Sequence, residues 1–322
     1  MRVLFTSTRP LGRCENLTAV WNAYQGDKEF AQIGFGDASS SECNVIVTDE
    51  FLERVDKPRQ KVIMIAHGLT GGKLYGNDQP QGIFYGKADS TGLVDYYVVS
   101  SEHGRQFAAS ASGIPIERCL PLGMPRTDAY FGKKKGDGGT VLSKYKRAYL
   151  YAPTFRAWYN KKIGSIDWPY INAMLEDDEI LAVKRHMVIN NTMLDGVYDH
   201  IIEIDNNVAS TPYLIDCDVL ITDFSSILFD GYVLGKPSVL ATDEMENYLS
   251  TRGMYMDYPR EYGSRCGNIS QYPATIIEHA RAAVVTGMRG VEQMCKEKTA
   301  SACDGHSTER VIELVEKLLC ES

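Results

Sequence analysis

Short apolar runs alternate with longer amphipathic stretches along the whole chain. Residues 3–5 (V-L-F), 45–47 (V-I-V), 62–65 (V-I-M-I) and 96–99 (Y-Y-V-V) have the size of strands buried on both faces of a parallel sheet. Helical spacing is present around residues 17–30 and over 102–112. Residues 132–140, G-K-K-K-G-D-G-G-T, hold four glycines and no large apolar side chain, and read as a domain linker. The alternation then restarts, with strands expected at 149–151, 180–183, 201–204, 219–221 and 238–240. Helices are expected near 170–176, 210–215, 226–234 and 276–294. A last one carries Val311, Ile312, Leu314, Val315, Leu318 and Leu319. This order predicts an α/β protein of two Rossmann-like, doubly wound domains, 1–140 and 141–322, facing each other across a cleft. The last helix is expected to pack back on the N-terminal domain.

Composition narrows the function. The chain has 322 residues, 44% hydrophobic and 24% charged, enough apolar content for two globular cores. A net charge of −8 argues against nucleic acid as a partner. Residues 133–162 nevertheless hold nine Lys/Arg (Lys133, Lys134, Lys135, Lys144, Lys146, Arg147, Arg156, Lys161, Lys162) against one acid, Asp137. They read either as a solvated linker and loop or as a surface for phosphate-rich substrates or anionic lipid. The eight cysteines contain no C-x-x-C pair, so reduced thiols and a cytoplasmic location are expected rather than a zinc site. No run approaches the roughly 20 apolar residues of a membrane span.

In doubly wound sheets, ligands bind beyond the carboxyl ends of the strands, and five groups stand there. His67-Gly68 follows a strand and precedes a glycine-rich loop. It reads as a general base near neutral pH, or as a structural imidazole bonded to a loop carbonyl. Gly123 to Asp128, G-M-P-R-T-D, places Arg126 in a first helical turn, suited to a phosphate or to pairing with Asp128. Thr154 and Arg156 follow the strand at 149–151, and Lys184, Arg185 and His186 follow that at 180–183. The latter cluster suits a departing pyrophosphate, or is simply a basic strand edge. The fifth group, Thr222, Asp223, Ser225 and Ser226 with Asp230 one turn on, sits where a strand turns into a helix capped by Ser225 or Ser226. That helix terminus would welcome a phosphate; an ordinary capped helix is the plainer reading. Asp216-Cys217-Asp218 has a metal-like D-x-D spacing but lies at the wrong strand end, so no metal ligands are assigned. Residues 176–179, E-D-D-E, read as a solvated turn.

These motifs together resemble the CDP-glycerol glycerophosphotransferase family of teichoic acid primases and polymerases. The resemblance runs in order through H-G (His67-Gly68), G-x-P-R-x-D (123–128), Y-A-P-T-x-R (151–156), K-x-H (184–186) and D-V-L-I-T-D-F-S-S-I-L-F-D (218–230). It continues through E-M-E-N-Y-L-S-T-R-G-M-Y-M-D-Y and D-G-H-S-T-E-R. Met187 stands where the family usually has proline, and the H-G loop departs from the usual sequence. The resemblance implies a GT-B fold, with cytidine nucleotide held mainly by the C-terminal domain. It also implies transfer of a polyol phosphate from a CDP-activated donor to an acceptor hydroxyl, with release of CMP. His67 and His186 match the two histidines implicated in the family. CDP-glycerol or CDP-ribitol is then a substrate, the acceptor is a lipid-linked or surface-glycan hydroxyl, and no tightly bound cofactor is expected. The inner membrane face, reached through the basic 133–162 region, is the expected place of action. The rival readings are a GT-B glycosyltransferase or sugar epimerase using another nucleotide-sugar, and a silent nucleotide-binding scaffold.

Overall fold

The expected strands assemble into two parallel sheets, each belonging to its own compact unit. The computed structural model describes residues 2–33, 37–39, 41–79, 92–154, 166–185 and 193–321. One unit comprises residues 1–131, 252–255 and 297–322; the other comprises 132–251 and 256–296.

In the N-terminal unit the strands are β1 (Val3–Ser7), β2 (Lys28–Gln32), β3 (Val45–Thr48), β4 (Lys61–Ile65), β5 (Tyr96–Val98) and β6 (Cys119–Leu120), in the order β2-β1-β3-β4-β5-β6. Every pairing is parallel. β1 and β3 are buried along their whole length, as strands covered on both faces must be. The helix expected over 17–30 is shorter: α1 (Glu15–Ala23) ends and the chain returns as β2. K-E-F-A-Q carries one large apolar residue and lies at the sheet edge, so it lacks the apolar run that marks the inner strands. α2 (Glu102–Ser112) starts where Ser101 Oγ accepts the Gly104 N–H and stops at Gly113, which takes a positive φ of 76°.

In the C-terminal unit β7 (Arg147–Ala152), β8 (Glu179–Val183), β9 (Ile201–Glu203), β10 (Val219–Thr222), β11 (Ser238–Ala241) and β12 (Cys266–Gly267) follow the order β12-β11-β10-β7-β8-β9, again all parallel. The helical elements are α3 (Trp168–Met174), α4 (Thr211–Asp216), α5 (Ile227–Val233), α6 (Met245–Thr251), α7 (Pro273–Thr286), α8 (Gly290–Ala300) and α9 (Ser307–Glu321), the last in the N-terminal unit. Alternate strand residues feed two cores. Tyr149, Tyr151, Leu181, Val183 and Ile221 pack with Trp168, Ile171 and Ile276 on one face. Ala148, Leu150, Ile180, Ala182 and Leu220 pack with Leu214 on the other. The period of two therefore builds a doubly wound sheet. The tail helix expected over 276–294 is two helices, broken where Gly287 adopts a positive φ of 62°.

Two acidic stretches serve the fold. Asp216 accepts the N–H groups of Gly136, Gly138 and Thr140 and the Thr140 hydroxyl, and Asp218 holds Lys135 and the Ala148 N–H. The D-x-D spacing thus ties the glycine-rich run to the C-terminal unit. Residues 176–179 are not a simple solvated turn: Glu179 is fully buried and faces Arg281, Arg147 and the Tyr149 hydroxyl. Among the basic residues of 133–162, Lys135, Lys146 and Arg147 are neutralised by acids of the same unit.

Candidate active site

Both sheets reverse their winding beside the first strand, and the candidate residues collect there. In the N-terminal unit the reversal lies between β1 and β3, and His67 follows the next strand, β4. Chain leaving a parallel strand at such a point opens a crevice, because the neighbouring connections depart to opposite faces. His67 is half-exposed there. Its Nδ1 lies 3.2 Å from Arg9 Nη2 and 3.6 Å from Asp49 Oδ2, and its Nε2 lies 3.6 Å from Glu50 Oε1. Asp49 is buried and grips Arg9 through the same oxygen. Glu50 also accepts the Thr8 hydroxyl at 3.0 Å. Partial desolvation at the strand end and the nearby charge of Arg9 lower the imidazole pKa below its ordinary value, against the pull of Asp49 and Glu50. The shift favours the neutral imidazole, the form a general base needs. Asp49, Glu50 and His67 offer ligand atoms within 4.8 Å of one another, yet the positive charge this cluster faces is that of Arg9.

The G-x-P-R-x-D motif supports this site from behind. Gly123 takes a φ of 87°, and a Cβ there would stand 2.3 Å from the Ala302 carbonyl oxygen, so only glycine fits. The 3-10 turn Pro125–Tyr130 follows. Arg126 donates through Nη1 to the His67 carbonyl at 2.6 Å, and its backbone N–H is held by Asn16 Oδ1. Arg126 therefore braces the histidine loop. Asp128, read from the sequence as a substrate-site residue or as a partner for Arg126, accepts the backbone N–H groups of Ser307 and Thr308 at the start of α9, since a carboxylate is favoured at a helix N-terminus. Gly68 follows His67 in the bend after β4.

In the C-terminal unit the reversal lies between β7 and β10. Asp223 Oδ1 accepts the Thr154 N–H at 2.7 Å, which brings the two strand-end motifs together. Thr222 is fully buried with its hydroxyl on the Ala152 carbonyl, so it ties strands rather than facing a ligand. Ser226 precedes α5 in helical conformation without a side-chain cap bond, which corrects the expectation of a Ser226 cap; Ser225 lies one residue earlier, in the turn after β10. Asp230 is buried in the first turn of α5. Lys184, next to the reversal, donates to the Asp205 carbonyl at 2.8 Å, and Arg185 lies 3.5 Å from Glu203. His186 and Arg156 lie outside the described residues.

Arg9 and Asp49 enter the site only through the fold, although both also stand at strand ends. The signal was present: T-S-T-R-P and V-I-V-T-D-E both run off the carboxyl ends of buried strands. The second matches V-L-I-T-D-F, which ends at the same topological point of the other sheet.

Comparison with known proteins gives this geometry a family. The family model described as CDP-Glycerol:Poly(glycerophosphate) glycerophosphotransferase matches residues 38–317. The chain is 31% identical over 231 residues to the teichoic acid glycerol-phosphate primase of Bacillus subtilis (strain 168), covering 66% of this chain and 59% of that protein. It is 25% identical to the teichoic acid ribitol-phosphate primase of Bacillus spizizenii, covering 86% of this chain and 76% of that one. The chain thus spans less than two thirds of the length of the first of these relatives. Among solved structures, the wall teichoic acid polymerase TagF superposes with a TM-score of 0.77 at 19% identity, covering 99% of this chain and 89% of that one. UDP-GlcNAc 2-epimerase from Neisseria meningitidis superposes with a TM-score of 0.58 at 13% identity, covering 98% and 100%. These two likenesses establish a GT-B-like fold. With two parallel six-stranded sheets and the family's motifs at their switch points, this chain belongs to the CDP-glycerol:poly(glycerophosphate) glycerophosphotransferase family.

Proposed function

We propose that this protein transfers glycerol phosphate or ribitol phosphate from a CDP-activated donor to a hydroxyl of a teichoic-acid-type or other surface-glycan acceptor, releasing CMP. The observation that carries the reading is His67: a half-exposed imidazole at the N-terminal switch point, with Nδ1 3.2 Å from Arg9 Nη2, in a chain of this family. His67 takes the proton of the acceptor hydroxyl. The acceptor oxygen bonds to the β-phosphorus, the bond from that phosphorus to the bridging oxygen breaks, and CMP leaves with the electron pair. In the C-terminal unit, Thr154 and Asp223, with Ser225, Ser226 and Lys184, hold the CDP portion and spread the charge of the leaving group. His186 and Arg156 join them, and Asp230 orients the ribose. The scheme uses no tightly bound cofactor.

The relatives' names include both glycerol phosphate and ribitol phosphate, so both donors belong in the test. The acceptor is taken as lipid-linked, approached at an anionic membrane face through the exposed Lys133, Lys134 and Lys144. Among the described residues, no helix is long and apolar enough to cross a membrane. Incubation with CDP-glycerol, CDP-ribitol and UDP-sugars, with chromatography of released nucleotide, tests the reading. CMP formation that depends on a lipid-linked acceptor supports it. UDP release or sugar epimerisation without CMP overturns it.

A further inference from the structure

The contact between Arg9 and His67 decides which imidazole nitrogen can act as a base. A guanidinium only donates hydrogen bonds, so Arg9 Nη2 at 3.2 Å requires the lone pair on Nδ1 and the proton on Nε2. Arg9 is itself held in place, since Asp49, with 3% of its side chain exposed, accepts from the same guanidinium nitrogen. The Arg9 backbone is fixed as well, its N–H donating to Ser7 Oγ at 3.1 Å. On the opposite edge of the ring, Nε2 faces Glu50 at 3.6 Å, too long for a hydrogen bond but close for a charge. Among the described residues, the other charged or titratable groups around the ring are Arg126 on the His67 carbonyl, Glu15 of α1 at 3.9 Å from Arg126, and the buried thiol of Cys14 beside the Asp49–Arg9 pair.

We propose that Arg9, clamped by Asp49, is the positioning residue that keeps the lone pair of His67 on Nδ1, and that its N–H stands where the acceptor hydroxyl donates during the reaction. The second half rests on the polyol-phosphate transfer reading; the first does not. When the hydroxyl replaces Arg9 at Nδ1, its proton passes to Nδ1 and its oxygen bonds to phosphorus. The bond to the bridging oxygen breaks and its electron pair leaves on CMP. The Nε2–H of the resulting imidazolium then faces Glu50, which stabilises the added charge.

The test is nitrogen NMR of the full chain with labelled histidine and no ligand, the His67 signals being assigned by their loss in His67→Gln. The wild type is expected to show an unprotonated Nδ1 and a ring that titrates below the usual value of about 6.5. Arg9→Gln should mix the tautomers and raise the midpoint by on the order of half to one pKa unit, the size expected for one charge beside a half-exposed ring. Arg9→Lys should keep the midpoint near wild type. Asp49→Asn, with Arg9 intact, should also mix the tautomers. A protonated Nδ1 in the wild type, or an Arg9→Gln ring that titrates unchanged, overturns the assignment. The acid limb of kcat for CMP release should move with the ring in Arg9→Gln; a fixed limb overturns the second half. Absence of CMP release from every CDP donor in the wild type would sink the transfer reading and leave the NMR result standing.

Discussion

Asp128 and Ser307 are joined by a 3.0 Å hydrogen bond from the Ser307 backbone N–H to the Asp128 carboxylate, across 179 residues of chain. Thr308 adds a second, at 2.6 Å. The last motif of the sequence thus closes the N-terminal unit, and α9 lies against α1 and the Pro125–Tyr130 turn. Asp128→Ala should cost about 1–3 kcal/mol, the range for losing charge-assisted bonds at a helix N-terminus. Urea unfolding followed by circular dichroism measures this. CDP affinity should stay at the wild-type value, because the loss falls on folding.

His67→Gln should lower turnover by roughly 10²- to 10⁴-fold, the usual contribution of a general base. CDP affinity, measured by calorimetry, should change little. Unchanged turnover would remove His67 from the mechanism.

Asp223→Ala leaves the Thr154 N–H without the acceptor that now holds it at 2.7 Å. The loop after β7 should loosen, and CDP should bind more weakly by about 1–2 kcal/mol, the scale of one lost buried hydrogen bond. Calorimetry on a variant with wild-type circular dichroism checks this. Equal affinity would place the CDP site elsewhere.

Glu179 makes folding pH-dependent. Burial pushes its pKa up, but bonds from Arg281, the Tyr149 hydroxyl and the Glu176 N–H outweigh this and leave it below the ordinary value. A depressed carboxylate pKa adds stability that is fully present above the unfolded value of about 4.3 and is lost as pH falls through the folded value. The wild type should therefore lose stability below pH ~4.3 more steeply than Glu179→Gln. At neutral pH that variant should be about 1–3 kcal/mol less stable, the scale of lost charge-assisted hydrogen bonds, since Arg147 keeps Glu176 and Asp178 and Arg281 keeps Glu176 nearby. Urea midpoints between pH 3 and 7 provide the comparison.

Much of the architecture was legible because buried parallel strands are written as unbroken apolar runs. Residues 3–5, 45–47, 149–151 and 219–221 all became inner strands. β2 was not legible, since an edge strand needs only one good face and K-E-F-A-Q resembles the end of an amphipathic helix. The break at Gly287 was equally hidden, because a glycine within a helical pattern is tolerated as often as it stops a helix.

The site shows the same division. Strand ends mark candidate chemistry in any doubly wound sheet, so His67, Arg126, Lys184, Thr154 and Asp223 could be picked from the sequence alone. Their motifs sufficed to point to the family. Which of them act on one another depended on strand order, which residue spacing does not encode. Placing β3 between β1 and β4 puts Asp49 and Arg9 against His67, from positions 18 and 58 residues earlier in the chain. Folding α9 back onto the N-terminal unit gave Asp128 a helix start to cap, and the pairing of β7 with β10 gave Thr222 a carbonyl to hold. Local sequence determined the elements and the chemistry at their ends, because periodicity and side-chain type act over a few residues. Tertiary structure alone decided the partners, because a hydrogen bond selects by distance in space.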